Sequence, residues 1–133
     1  MGDFNCLGQR GTRVVCAFRG DEYDVWHLRQ MGDLGIIQPR RFHLRQPELI
    51  ERAIEGSDAV INLVGQDRKS WNFTLQEANV DGAVAIAEAA GKHGARLIHV
   101  GHIASRPVSG SAFLRSKDAG EEAVRKVRPT ATI

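Results

Sequence analysis

Short runs of β-branched and aliphatic residues recur along this chain, each followed by a stretch with helical spacing. That alternation restricts the possible folds more than any other feature. Thr12 to Phe18 (TRVVCAF), Ala59 to Val64 (AVINLV) and Leu97 to Val100 (LIHV) are apolar at successive positions, as strands covered on both faces are. Strands that alternate with helices are joined by right-handed crossovers and therefore run parallel. The expected class is α/β.

The stretches between these strands carry start and stop chemistry for helices. Pro47 to Glu55 places proline in a first turn and Glu48 near the positive end of the dipole, with Leu49, Ile50, Ala53 and Ile54 on one face and Gly56 as the stop. Asn79 to His93 carries Val80, Val84, Ala87 and Gly91 as a stripe, closed by Gly94. Phe113 to Val127 is a third helix, closed by Pro129. Asp21 to Gly35 has no clean period and reads as loop, with a helical turn at Val25 to Arg29. Ile36, Ile37 and Phe42 suggest a further short strand, and Thr130 to Ile133 the opening of another. The N-terminal arginines Arg10, Arg13 and Arg19 sit in a serine-poor segment that runs straight into a strand, so the segment reads as domain rather than presequence.

Composition narrows the function classes. With 18 Lys plus Arg against 16 Asp plus Glu, the net charge of +2 gives no electrostatic footprint for nucleic acid. No run of apolar residues is long enough for a transmembrane helix. Cys6 and Cys16 have neither zinc-site spacing nor the density of a disulfide scaffold. His99 and His102 lie three apart without HExxH or CxxC company, and the serines 105, 109 and 111 lack a nucleophile elbow, so neither a metal site nor hydrolase chemistry is expected.

Three features converge on a nucleotide at the carboxyl ends of the strands, where open α/β sheets bind ligands. Arg19 follows the first apolar run, and a planar guanidinium there can pair with a ribose 2′-phosphate; it can equally be a solvated loop arginine. Asn62, Leu63, Val64 and Gly65 end a strand, the glycine permitting close approach of the backbone to a ligand, although strand-ending glycines are also common turn punctuation. Phe113 and Lys117, four apart, share a helix face, from which the lysine can reach a ribose hydroxyl or simply face water. The architecture these features suit is a partial Rossmann-type, doubly wound parallel sheet with helices on both faces, one incomplete dinucleotide-binding domain over residues 1–133.

Together these residues resemble the extended and atypical short-chain dehydrogenases, from their second strand through the helix that carries their active site. A narrower resemblance rests on Tyr23-Asp24, His27-Leu28-Arg29 and Met31-Gly32-Asp33-Leu34-Gly35, together with Asn62 to Gly65, Ile98-His99-Val100 and Leu114 to Lys117. These are similar to the dehydrogenase-like accessory subunits of mitochondrial respiratory complex I. That resemblance implies a structural NADPH, held through Arg19, Asn62 to Gly65, Gly101 and Lys117. It also implies other complex I subunits as partners and a peripheral place on the matrix side of the inner membrane.

The same resemblance implies departures. The superfamily's YxxxK tyrosine position is Phe113 here and its serine position is Gly101, so no catalytic residues are expected; a phenyl ring has no proton to donate, a role worth about 10²- to 10⁴-fold. His43 stands at a position commonly acidic. The fold's first strand and glycine-rich turn, which would hold the pyrophosphate, have no counterpart, and Phe4 to Leu7 matches the tail of its first helix. In the strand order 3-2-1-4-5 the absent strand is central. It would leave a gap of about twice the ~4.8 Å interstrand spacing between two unpaired edges, which a separate polypeptide, or sequence outside these 133 residues, is expected to fill. Two other readings stay open: an active NAD(P)-dependent reductase or epimerase represented by a fragment, and a nucleotide-free interaction scaffold.

Overall fold

The computed structural model describes residues 2–31 and 36–133, so the part of the Met31 to Gly35 signature at 32–35 lies outside the described residues. The chain divides into two compact units, 1–53 and 54–133.

In the first unit, helix α1 (Gly2–Gln9) leads through Gly11, whose φ of 76° suits a residue without Cβ, into strand β1 (Val14–Phe18). Strand β2 (Ile37–Arg41) pairs with β1 in parallel, in the register Val14 to Ile37 through Phe18 to Arg41. Between them Glu22–Met31 forms a 3₁₀ helix, where the sequence reading expected loop with a single turn. Its reason is visible in the spacing: Val25, Leu28 and Met31 recur every third residue, the period of a 3₁₀ helix. That stripe packs onto buried Cys16 and Ile37, with Val14 and Ile36 around them. Helix α2 (Pro47–Ile54) follows with its bounds nearly as expected, and Gly56 ends it at a φ of 72°.

In the second unit, β3 (Ala59–Asn62) and β4 (Arg96–His99) form another parallel pair, and Thr132 adds a parallel bridge to Ile98 on the far side of β4. The segment from Thr130 onward, where the sequence suggests the opening of a strand, contributes this one bridge. Asn62 stands opposite His99 in the register, which brings two polar side chains together inside the sheet. Helix α3 (Gly82–Lys92) is preceded by a π-helical turn, Glu77–Asp81, and the helical path starts earlier than Asn79. Thr74 and Glu77 form a capping box: the Thr74 N–H donates to Glu77 Oε2 at 2.8 Å, and the Glu77 N–H donates to Thr74 Oγ1 at 3.1 Å. Helix α4 (Ala112–Val127) packs against α3 and the π turn, and Gly120 makes that packing possible, since a Cβ there would strike the backbone carbonyl of Asn79.

Among the described residues, β1 pairs only with β2, and β3 carries no ladder on the edge away from β4. No described helix is long and apolar enough to cross a membrane, and no described group of His, Cys, Asp or Glu could hold a metal ion.

Candidate functional site

The carboxyl ends of β3 and β4 gather a buried polar cluster. Parallel register sets Asn62 beside His99, and both are almost fully buried. The Val64 N–H donates to Asn62 Oδ1 at 3.0 Å, which leaves the Asn62 amide nitrogen facing His99 Nδ1 at 3.0 Å. That nitrogen is a donor, so Nδ1 accepts and the imidazole proton sits on Nε2. Nε2 is buried and has no hydrogen-bond partner among the described residues. Burial, and then the nearby Lys117, push the His99 pKa down, with Glu121 opposing.

Lys117 is the second anchor. Sequence alone left it an ordinary exposed lysine or a ligand-facing one; at 8% exposure it is buried. Its position is fixed from two directions. Helix α4 points it inward beside Ser116, and Gly65 leaves space for it, since a Cβ at Gly65 would lie 2.5 Å from Lys117 Nζ and 3.2 Å from Cε. Burial lowers the Lys117 pKa, and Glu121, one helical turn on, works against that shift.

Asn79, on the π turn, ties these parts together. Its Oδ1 accepts from the Gln66 N–H at 2.8 Å, and its Nδ2 donates to the Gln66 carbonyl at 2.9 Å and to Ser116 Oγ at 2.9 Å. Ser116 Oγ donates in turn to the Phe113 carbonyl at 2.7 Å. One amide therefore holds the turn after β3 against α4, with Gly65 and Lys117 between. Asn79, Ser116, His99 and Glu121 were not among the expected binding residues. The capping box at Thr74 was the available signal that Asn79 lies on a helix entry rather than at its start.

The expected residues fall as follows. Asn62, Val64, Gly65 and Lys117 converge in the second unit, while Leu63 points outward at 63% exposure. Gly101 lies directly over the Glu121 carboxylate, and Phe113 rests edge-on against His102, with ring centroids 5.4 Å apart. Arg19 lies in the first unit, exposed at the end of β1, just before Gly20 with its φ of 121°.

The pattern of the NAD dependent epimerase/dehydratase family matches residues 6–130. The chain belongs to that family. By sequence the chain is similar to a mouse (Mus musculus) protein named NADH dehydrogenase (ubiquinone) 1 alpha subcomplex subunit 9, mitochondrial, 41% identical over 97% of this chain and 34% of the mouse protein. A Caulobacter vibrioides protein named ceramide reductase is 39% identical over 96% of this chain and 38% of its own length. The chain thus spans about a third of the curated relatives it matches. Among solved structures, Citrobacter sp. triphenylmethane reductase complexed with NADP(H) superposes with a TM-score of 0.67 over 94% of this chain and 40% of that one, at 15% identity. At that identity the likeness shows the epimerase/dehydratase fold alone.

The depressed His99 pKa carries a testable sign. A group whose pKa is lower folded than unfolded binds fewer protons when folded, so its contribution is intact above the ordinary value of 6.5 and is lost as pH falls toward the folded value. Urea titrations at mildly acidic and mildly alkaline pH should therefore show lower stability on the acid side, and a His99→Gln variant should lose part of that difference. Equal pH dependence in the two proteins would refute the assignment.

Proposed function

We propose that this chain is part of a non-catalytic accessory subunit of mitochondrial NADH:ubiquinone oxidoreductase, complex I. The observation that carries the reading is the 41% identity to the mouse subunit along nearly the whole chain. The resemblance drawn from the sequence supports it, since it puts Phe113 and Gly101 at the dehydrogenase pattern's proton-donating tyrosine and its serine. In this reading the chain works in mitochondria, peripheral to the inner membrane on the matrix side, among other complex I subunits.

The same site would keep a dinucleotide, NADPH, as a structural element. The residues present fit that group at one end: the Lys117 amine is buried at the carboxyl end of β3, lodged in the space that the missing Cβ of Gly65 leaves. Lys117 would hold a ribose hydroxyl, Gly65 with Asn62 to Val64 would line the approach, and Gly101 would lie alongside; for Arg19, in the first unit, pairing with a 2′-phosphate is proposed separately. A nicotinamide bound there supplies hydride chemistry in active members; here Phe113 offers no proton to complete it. A strand and a glycine-rich turn, supplied by sequence outside these residues or by a companion chain, are proposed to complete the dinucleotide fold.

One observation favours a different reading. The 39% identity to a protein named ceramide reductase keeps an NAD(P)-dependent reductase in view. A single experiment separates the two: native-gel fractionation of mitochondrial membranes with mass spectrometry of the complex I band. Peptides of this chain in that band, alongside a companion bearing a glycine-rich turn, are the expected result. Recovery only as a free protein would remove the complex I reading and put the reductase first.

A further inference from the structure

The loop after β4 turns around a carboxylate. Glu121 Oε1 accepts from the His102 N–H at 3.1 Å and from the Ser105 hydroxyl at 2.8 Å. It lies so close to Gly101 that any Cβ there would collide with it, and Lys117 and His99 are within its electrostatic reach. A main-chain N–H and a hydroxyl meeting on one oxygen, with no room for a side chain at 101, are the ingredients of a site for a small oxyanion, and the occupant belongs to the chain itself.

We propose that Glu121 is an internal ligand: its carboxylate fills an oxyanion site built from the His102 N–H and the Ser105 hydroxyl, and thereby excludes small carboxylates from it. Gly101 is the steric condition for this arrangement, because a side chain at 101 and the carboxylate of Glu121 compete for one volume. The ligand class the site would accept, once vacated, is a small monocarboxylate that can take two hydrogen bonds on one oxygen. The inference rests on these contacts and is independent of whether a dinucleotide binds.

The test is hydrogen exchange read by mass spectrometry on the full-length protein, purified with the partners it holds. In Glu121→Ala, amides in segment 101–105 should exchange about tenfold faster, the loss expected for a charge-assisted hydrogen bond. Excess sodium formate, against sodium chloride of equal ionic strength, should restore most of that protection in Glu121→Ala and change the wild type by less than about twofold. Glu121→Gln keeps the shape without the charge; its exchange should rise several-fold and ignore formate, because the amide still fills the site. Formate that protects the wild type equally, or fails to protect Glu121→Ala, overturns the proposal. Should Glu121→Ala not accumulate, exchange in Glu121→Gln identical to wild type overturns it as well.

Discussion

Asn79→Ala is expected to cost the 54–133 unit about 2–5 kcal/mol, the largest loss for any single polar side chain in this structure. The side chain is 1% exposed and makes three hydrogen bonds, two to the Gln66 backbone and one to Ser116. Truncation strips the part-buried Gln66 N–H and carbonyl of their partner, while Ser116 Oγ keeps its bond to the Phe113 carbonyl, and each group left unsatisfied costs about 1–3 kcal/mol when water cannot reach it. Some water will enter, so the sum stays below two full penalties. Chemical denaturation monitored by circular dichroism measures the effect. A loss under about 1 kcal/mol would mean that the turn after β3 is held by something other than this amide.

The second large effect belongs to Gly120→Ala. One methyl group is usually welcome inside a helix, where alanine exceeds glycine by about 1 kcal/mol. Here the added Cβ would meet the Asn79 carbonyl oxygen within contact distance and its carbon at 3.2 Å. The obstacle is backbone within a helical segment, which cannot swing aside as a side chain can, so α4 must move away from the π turn. Overpacking of that kind costs about 1–3 kcal/mol, enough to overcome the gain in helix propensity. Gly110→Ala is the matched control, since a Cβ there meets open space. Thermal melts showing Gly120→Ala as stable as the control would mean that α4 does not approach the π turn so closely.

The parallel α/β character was legible because buried strands and glycine-stopped helices each announce themselves by period. Helix α2 and the far ends of α3 and α4 end where Gly56, Gly94 and Pro129 indicate. The segment at 22–31 was not legible by a search for a 3.6-residue period, because its apolar positions fall every third residue. The start of the helical path at Thr74 was missed for a different reason. Its signature is two polar residues three apart, and the apolar stripe that drew the boundary begins only at Val80. At the site, Gly65 and Lys117 could be nominated from spacing. Nothing linear links Asn62 to His99, or Asn79 to Ser116; the first pair is set by parallel register and the second by the crossing of two helices. Glu121 was hidden most thoroughly, since a glutamate one turn past a lysine on an exposed helix is usually a solvated partner.

Proline at position 39 has a consequence for how the first sheet behaves in company. The Val14 N–H reaches the Ile36 carbonyl and the Phe42 N–H reaches the Phe18 carbonyl, so the even-numbered residues of β2 spend their amides on β1 and Pro39 faces the other way. Its missing donor therefore costs the ladder nothing and falls on the outer rim, where any newcomer strand would have to bond. A newcomer on that rim would lack a donor in the middle of its ladder, so β2 is a poorer template for a further strand than an edge without proline.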